Sequence, residues 1–316
     1  MRRLYERCCL CPRRCGVNRL KGERGLCGES AALRLAAACL HQGEEPPLSG
    51  GAGSGAIFVS GCGLCCPFCQ NRQISAERAG AEVDAASFAA ICLALQKRGA
   101  ANINIVTGTH AAPALVEGIA LARERGLTLP LVWNSSGYET PEIIRLLQDV
   151  VAVFLPDLKT LDADFAGRFF KAPDYPEAAR AAILTMLDAK PPRYSRGEDG
   201  ALASGVIIRH LAMPGALAGT KKVMEWFAAN ARGRALLSLM TQYAPPKNAP
   251  AGIPARSLRT AECDTLLRWL TELGIEDGYY QEREEGAAPF PDFYQTQPFP
   301  AHLANCVWHW QSGFCA

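Results

Sequence analysis

No stretch of this sequence approaches the roughly 20 consecutive apolar residues of a membrane-spanning helix, so no such span is expected. Neither sign of charge dominates. The formal net charge is +2 with both signs interspersed, which leaves no electrostatic footprint for nucleic acid. The Met-Arg-Arg start runs into charged, cysteine-rich sequence within seven residues, which is not a secretory signal, and a cytoplasmic location is expected. There is no internal repeat beyond alternating strand and helix units. The glycine-rich residues 49–55 are not followed by Gly-Lys-Ser/Thr, so they are no phosphate-binding P-loop but a shaping loop before a strand. What the chain has in quantity is cysteine, 14 in 316 residues. Without an export signal a disulfide framework is not expected, and metal binding is the better use for so many thiols.

Half the residues are hydrophobic and a fifth charged, which suits a globular protein with a sizeable core. Cys62, Cys66 and Cys69 follow a short strand-like run in the spacing C-x3-C-x2-C. Three thiolates in one tight loop fit a cubane iron–sulfur cluster, and the fourth thiolate of the usual set is missing. An iron without a protein ligand is an open coordination position where a small molecule can bind. The spacing alone leaves a zinc knuckle or a buried cysteine cluster open. Cys65 offers competing spacings and is read as a bystander. Upstream, Cys8, Cys11, Cys15 and Cys27 give C-x2-C-x3-C-x11-C, a set for structural zinc or a second iron–sulfur cluster, with Cys9 an alternative to Cys8. This leader has too few apolar residues to fold alone, and a metal would staple it.

From residue 57 the pattern alternates. Strands are expected at 57–60, 102–106, 129–133, 151–155, 205–211 and 235–240. Helices fall between them, one near 85–98, one ending near Arg125-Gly126, one opening at Thr140-Pro141, and others near 162–170, 176–189 and 219–229, with another at 261–273. Asp84 is a candidate N-cap, Gly99 a C-cap, and Thr140-Pro141 opens a helix as cap and first residue. Near-continuous apolar strands returning through helices imply a parallel α/β sheet. Six units are two short of a closed eight-stranded barrel, which gives a partial, three-quarter (β/α)6 TIM-like barrel. Residues 1–50 are read as a cysteine-rich segment, 51–245 as the barrel and 246–316 as a C-terminal extension or cap. Residues 31–40 read equally as strand or short helix, 190–204 as a polar loop, and the tail from about 282 as loop-like. Cys306, His309 and Cys315 read as part of an interface or cap rather than a metal site.

Polar residues gather near the C-terminal ends of the expected strands, which is the ligand-binding face of parallel α/β folds. They are Thr107, Gly108 and His110, then Asn134 and Ser136, Asp157 and Lys159, Arg209 and His210, and Gln242. Singly each has a plainer reading. Asp157 and Lys159 make a strand-end ion pair worth about 1 kcal/mol or less if exposed. Asn134 suits a turn, and His110 or His210 a hydrogen-bonded core.

Beyond the cysteine loop, residues 5–245 resemble the radical S-adenosylmethionine (SAM) superfamily, in particular an uncharacterised branch of the pyruvate formate-lyase activating enzyme family. The resemblance rests on Cys62, Cys66 and Cys69 with Phe68 in the aromatic slot, on Cys11-Pro-Arg-Arg-Cys15, His41-Gln-Gly-Glu-Glu-Pro46, Asn102-Ile-Asn-Ile-Val-Thr107, Asn134-Ser-Ser-Gly-Tyr138, Leu155-Pro-Asp-Leu-Lys159 and Arg209-His210. It implies that Cys62, Cys66 and Cys69 hold a 4Fe–4S cluster with SAM on the open iron. It implies further that SAM is cleaved reductively to a 5′-deoxyadenosyl radical that abstracts hydrogen. The electron donor would be a flavodoxin or ferredoxin, and the partner a glycyl-radical-type protein, with a small molecule, another protein site or RNA as alternative substrates. A non-catalytic iron–sulfur or zinc module is the competing class.

Asn134 and Ser136 fall where the family contacts the ribose and methionine of SAM, and Asp157 and Lys159 match its Asp-x-Lys motif beside the reaction centre. Arg209 falls where a basic residue meets the SAM carboxylate. Thr107-Gly-Thr-His110 replaces the family's Gly-Gly-Glu-Pro turn, and Gln242-Tyr243 stands where the activating enzymes carry a histidine. The 49–55 loop is a further candidate SAM contact.

Overall fold

The computed structural model describes residues 1–194, 202–246, 251–282 and 290–315. The leader forms two short 3-10 turns, Arg2–Tyr5 and Arg19–Lys21, and then strand β1 (Leu33–His41), which decides for strand in the ambiguous segment. A single turn, α1 (Pro46–Ser49), leads into β2 (Ser54–Val59), whose residues are all buried. After the cysteine loop come α2 (Arg72–Ser75) and β3 (Ala81–Val83). Helix α3 (Ala85–Lys97) opens on Asp84, whose carboxylate accepts from the Ser87 N–H and satisfies one of the donors a helix start leaves free. Gly99 ends it in the left-handed region. Then follow β4 (Ile103–Val106), α4 (Ala112–Glu124), β5 (Leu131–Ser135) and α5 (Pro141–Leu147). The remaining elements are β6 (Val153–Pro156), α6 (Ala163–Phe170), α7 (Tyr175–Ala189), β7 (Arg193–Tyr194), β8 (Leu202–Leu211), α8 (Leu217–Asn230) and β9 (Leu236–Met240), then α9 (Thr260–Glu272), β10 (Gly278–Gln281), β11 (Ala304–His309) and β12 (Gly313–Phe314).

Among the described residues twelve strands join one sheet, along the path β10-β9-β8-β6-β5-β4-β2-β1-β11-β12, with β3 on β1 and β7 on β8. From β10 to β2 every pairing is parallel. The six expected strands are therefore consecutive neighbours, and the sheet stays open as a partial barrel. Their β-branched and leucine-rich runs are buried because helices return over them, so no polar face is needed.

The sheet is larger than the expected six units. β10 adds a parallel strand after α9, and β1, β11 and β12 form an antiparallel wing beside β2. The tail is thus not wholly loop-like. His309 Nε2 pairs with the Phe293 carbonyl at 3.1 Å, and Cys306 sits opposite Cys39 in the β1–β11 register. Within the expected loop at 190–204, residues 193–194 pair with β8, while 195–201 lie outside the described residues.

The glycine-rich loop is a second correction. It sits at the start of β2, at the opposite end of that strand from Cys62. The Gly55 N–H donates to the Asn102 carbonyl at 3.1 Å, and a Cβ on Gly55 would stand 2.6 Å from that oxygen. Close strand pairing explains the glycine, and residues 49–55 are not among those that line the strand-end cavity described below.

Candidate active site

Parallel strands end on one face, and the loops beyond them enclose a cavity of about 530 Å³. The loop after β2 contributes Cys62, Cys66, Phe68 and Cys69. The strand ends contribute Thr107, Asn134, Ser135, Ser136, Asp157, Lys159, Arg209 and Gln242. The far wall includes His41, Glu44, Phe58 and Phe299. Nearly all the residues singled out in the sequence meet here.

The cysteine loop turns back on itself through Gly61 (φ +84°) and Cys65 (φ +49°). A Cβ on Gly61 would meet the Glu29 Cγ at 2.5 Å, so only glycine lets the leader pack this close. Cys62 and Cys66 are buried, Cys69 is half-buried and Cys65 is exposed, its thiol donating to the Cys62 carbonyl at 3.1 Å. The Leu64 N–H donates to Cys62 Sγ at 3.4 Å. Burial pushes the Cys62 and Cys66 thiols up, so loading a metal here must displace their protons. Three thiols on one wall, with the fourth turned away, fit a cubane that leaves one iron free of protein. Asn71 Oδ1 and Ser75 Oγ, on the same wall, are buried and have no hydrogen-bond partner among the described residues, which fits a polar guest. Phe68 packs against Phe170 and Phe165 at ring separations of 5.9 and 6.4 Å, giving the loop an apolar flank.

Lys159 Nζ lies 2.5 Å from Asp157 Oδ2, with side-chain exposures of 22% and 23%. Burial draws the lysine's pKa down, but the Asp157 carboxylate outweighs it and holds the ammonium well above the ordinary lysine range. The Lys159 N–H donates to the Tyr175 hydroxyl at 2.9 Å, and that hydroxyl is shared between the carbonyls of Ser136 and Asp157. Gly137 (φ +72°) lets these strand ends close, since a Cβ there would stand 2.3 Å from the Asp157 carbonyl oxygen. Gly137→Ala is accordingly expected to destabilise the protein by about 1–3 kcal/mol, seen as a lower urea midpoint at unchanged slope. An unchanged midpoint would mean that the β5 and β6 ends are not packed so closely.

Thr107 is β-branched yet has φ +64°, and its N–H donates to the Asn134 carbonyl at 2.8 Å. Such a conformation persists only where the surroundings enforce it, and it is common at functional sites. Arg209 faces the cavity already paired, its Nε 3.2 Å from Glu45 and its Nη1 3.5 Å from Glu44. Its positive charge is therefore shared with two glutamates.

Gly108 and His110 are not brought to the cavity. After Thr107 the chain enters a 3-10 turn, Thr109–Ala111, that tucks beneath the strand ends. His110 is buried with Nε2 2.7 Å from the Ser60 carbonyl, and burial pushes its pKa down to about 4. A Cβ on Gly108 would strike Ile105 and Trp133 at 2.7 and 2.8 Å, so that glycine serves packing. His210 is also a core histidine, between the Leu158 carbonyl and Thr220 Oγ1.

Three acidic residues escaped the sequence reading. Glu44 and Glu45 belong to the quoted His41–Pro46 motif, but only the pairing of β1 with β2 delivers them to Arg209. Glu139, fully buried, accepts from Trp133 Nε1 (2.9 Å), Thr109 Oγ1 (2.9 Å) and Ser135 Oγ (2.8 Å). Its only signal was its place after Asn134-Ser-Ser-Gly-Tyr138.

The leader docks on the cysteine loop. Arg13 Nε donates to the Gly63 carbonyl at 2.9 Å and Nη2 to the Phe170 carbonyl at 2.5 Å, while its guanidinium lies 5.5 Å from the Tyr138 ring centre. Cys8 and Cys27 are buried and both accept from Arg19 at 3.0 Å, Cys11 and Cys15 are half-buried, and Cys9 is exposed. Among the described residues no three His, Cys, Asp or Glu side chains converge on one point as a single ion requires. A cubane, by contrast, spreads its thiolates over separate irons.

The radical SAM superfamily model matches residues 56–193. The uncharacterized protein MJ0674 of Methanocaldococcus jannaschii is 30% identical over 254 residues, 78% of this chain and 68% of that protein. Among solved structures, Streptococcus suis SuiB aligns at a TM-score of 0.49 and 11% identity over 72% of this chain and 48% of SuiB, so the chain matches about half of SuiB's length. A domain of pyruvate-formate lyase-activating enzyme from Bacteroides vulgatus ATCC 8482 aligns at 0.40 and 14% identity, over 54% of this chain and 91% of the domain. The chain belongs to the radical SAM superfamily, and membership implies a 4Fe–4S cluster and SAM.

Proposed function

We propose that this protein is an enzyme whose bound cluster and SAM supply reductive cleavage of the sulfonium, giving methionine and a 5′-deoxyadenosyl radical that takes a hydrogen atom from a substrate. The observation that carries this reading is Cys62, Cys66 and Cys69 together on the wall of the strand-end cavity while Cys65 turns outward. Cys62, Cys66 and Cys69 would ligate the cluster. Thr107, Asn134, Ser136 and Gln242 offer hydrogen-bonding groups to the nucleoside and amino-acid parts of SAM. Asp157 fixes the Lys159 ammonium at the cavity edge and keeps it charged, so the pair orients and neutralises rather than exchanging protons. Arg209 presents directed N–H donors from a cluster in which the two carboxylates of Glu44 and Glu45 outnumber its one positive charge.

An open barrel side admits a peptide loop, which favours a protein substrate such as a glycyl-radical-type partner. The donor would be a flavodoxin or ferredoxin in a reducing, cytoplasmic compartment. Among the described residues no helix is long and apolar enough to cross a membrane. Residues 1–50 would form a metal-bearing leader, with a second zinc or iron–sulfur centre on Cys8, Cys11, Cys15 and Cys27. Residues 51–245 would form the barrel and 246–316 its cap.

Anaerobic reconstitution with iron and sulfide, followed by reduction in the presence of SAM, tests the reading. The expected result is release of 5′-deoxyadenosine and methionine in equal amounts. An intact reduced cluster that leaves SAM uncleaved would overturn it. Deuterium transfer from labelled candidate peptides or small molecules into 5′-deoxyadenosine then separates the substrate classes.

A further inference from the structure

Arg19 is a cation buried without a carboxylate. It is 2% exposed, and among the described residues no acid lies within ion-pair distance of it. Glu29, the acid nearest in effect, pairs instead with Arg34 at 3.9 Å. A guanidinium withdrawn from water needs a compensating anion as well as acceptors for its N–H groups.

Its fork straddles two cysteines. Nε donates to Cys8 Sγ and Nη2 to Cys27 Sγ, each at 3.0 Å, while Nη1 reaches the carbonyls of Ser30 and His110 at 3.4 Å. The Tyr5 ring packs at 5.9 Å. Cys15 is beside the same group, because a Cβ on Gly25 would meet Arg19 Nη2 at 3.1 Å and Cys15 Sγ at 3.3 Å. Cys11 completes the C-x2-C-x3-C-x11-C set on the side of the Cys62 loop, where a Cβ on Gly63 would stand 3.7 Å from its Sγ. Neutral thiols are weak acceptors and carbonyls carry no net charge, so neither balances a buried cation. Disulfides would balance it no better.

We infer that Cys8, Cys11, Cys15 and Cys27 hold a metal centre as four thiolates, with Arg19 as its resident counter-cation. The spread of the thiols points to a 4Fe–4S tetrathiolate, whose net double negative charge in its oxidised resting state the guanidinium offsets in part while its N–H groups take up thiolate lone pairs. Because Arg13 ties the leader to the Gly63 carbonyl, the centre would stand directly behind the loop of Cys62. This inference does not depend on SAM chemistry.

The full chain carrying Cys62→Ser, Cys66→Ser and Cys69→Ser isolates the question, since metal retained after anaerobic purification must then sit elsewhere. A cubane's iron with matching sulfide, with sulfur alone in its X-ray absorption first shell, supports the proposal, and one zinc in its place overturns the cluster assignment. Absence of any bound metal in a folded triple variant overturns it. In the wild-type protein, timed alkylation read by mass spectrometry gives a second measurement that needs no variant. Exposed Cys9 and Cys65 should label promptly, and the four leader cysteines only after a chelator is added. Leader cysteines that label as fast as Cys9, or that are found as disulfides, overturn the site. Arg19→Met should weaken metal retention in chelator competition by about 10–100-fold, with Arg19→Lys affected less. Unchanged retention in Arg19→Met removes the arginine from the proposal. None of these readouts moves if SAM proves not to be cleaved.

Discussion

Cys66→Ser is expected to abolish SAM cleavage and most of the iron held at the cavity, while Cys65→Ser leaves both within roughly twofold of wild type. The two residues are neighbours of the same type, so the contrast reports position rather than chemistry. Cys66 is buried on the cavity wall. Cys65 is exposed, in the left-handed region, with its thiol turned back to the Cys62 carbonyl. Serine is close to isosteric with cysteine but lacks the soft thiolate an iron–sulfur cluster uses. Loss of an outer-shell partner of a metal typically reduces affinity or activity about 10–100-fold, and loss of a direct ligand should exceed that. Iron and sulfide per chain, with the anaerobic rate of 5′-deoxyadenosine formation, decide the matter. Reversal of the two variants would make Cys65 the ligand, and the C-x3-C-x2-C reading of the loop would fail.

How much of this was legible depends on what each residue answers to. Asp84, Gly99 and Thr140-Pro141 are local signals, and the structure ends or begins helices where they stand, because capping is decided within a turn. The six central strands were legible because each apolar run is bounded by such signals. Polar residues at their ends then share one face as a consequence of parallel topology. Asp157, Lys159, Asn134 and Gln242 therefore reach the cavity with no motif needed. The wing strands were not legible in the same way. β10 has four residues, and β11 carries asparagine and cysteine among proline- and aromatic-rich neighbours, so its strand character depends on pairing with β1. His110 illustrates the opposite failure. It follows a strand end in sequence, but the strained Thr107 and the 3-10 turn redirect it beneath the sheet. Glu44 and Glu45 lie in a segment whose destination is set by an irregular antiparallel register, which no local pattern encodes.

Glu139→Ala is expected to destabilise the protein by about 3–5 kcal/mol, because it strands three buried donors and opens a cavity beneath the site. The donors are Trp133 Nε1, Thr109 Oγ1 and Ser135 Oγ. Together they tie the end of β5 to the turn after β4, directly under Ser135 and Thr107 on the cavity wall. Glu139→Gln should lose far less, since its amide oxygen can keep two of these bonds while its NH2 donates to a reoriented Ser135 hydroxyl. The two variants also separate charge from hydrogen bonding through pH. Burial raises the Glu139 pKa above the ordinary glutamate range, outweighing the three donors that lower it. The folded state thus holds its proton to higher pH than the unfolded state does. Its contribution is full below the ordinary value of about 4.3 and declines as pH rises towards the folded value. Wild type should therefore lose stability relative to Glu139→Gln as pH is raised from acid to neutral, measured as the difference in urea midpoints. A parallel pair of curves would show that the carboxylate is not buried as described. Equal stability of Glu139→Ala and wild type would show that the three donors find other partners, and that the link between Trp133, Thr109 and Ser135 does not hold the cavity floor.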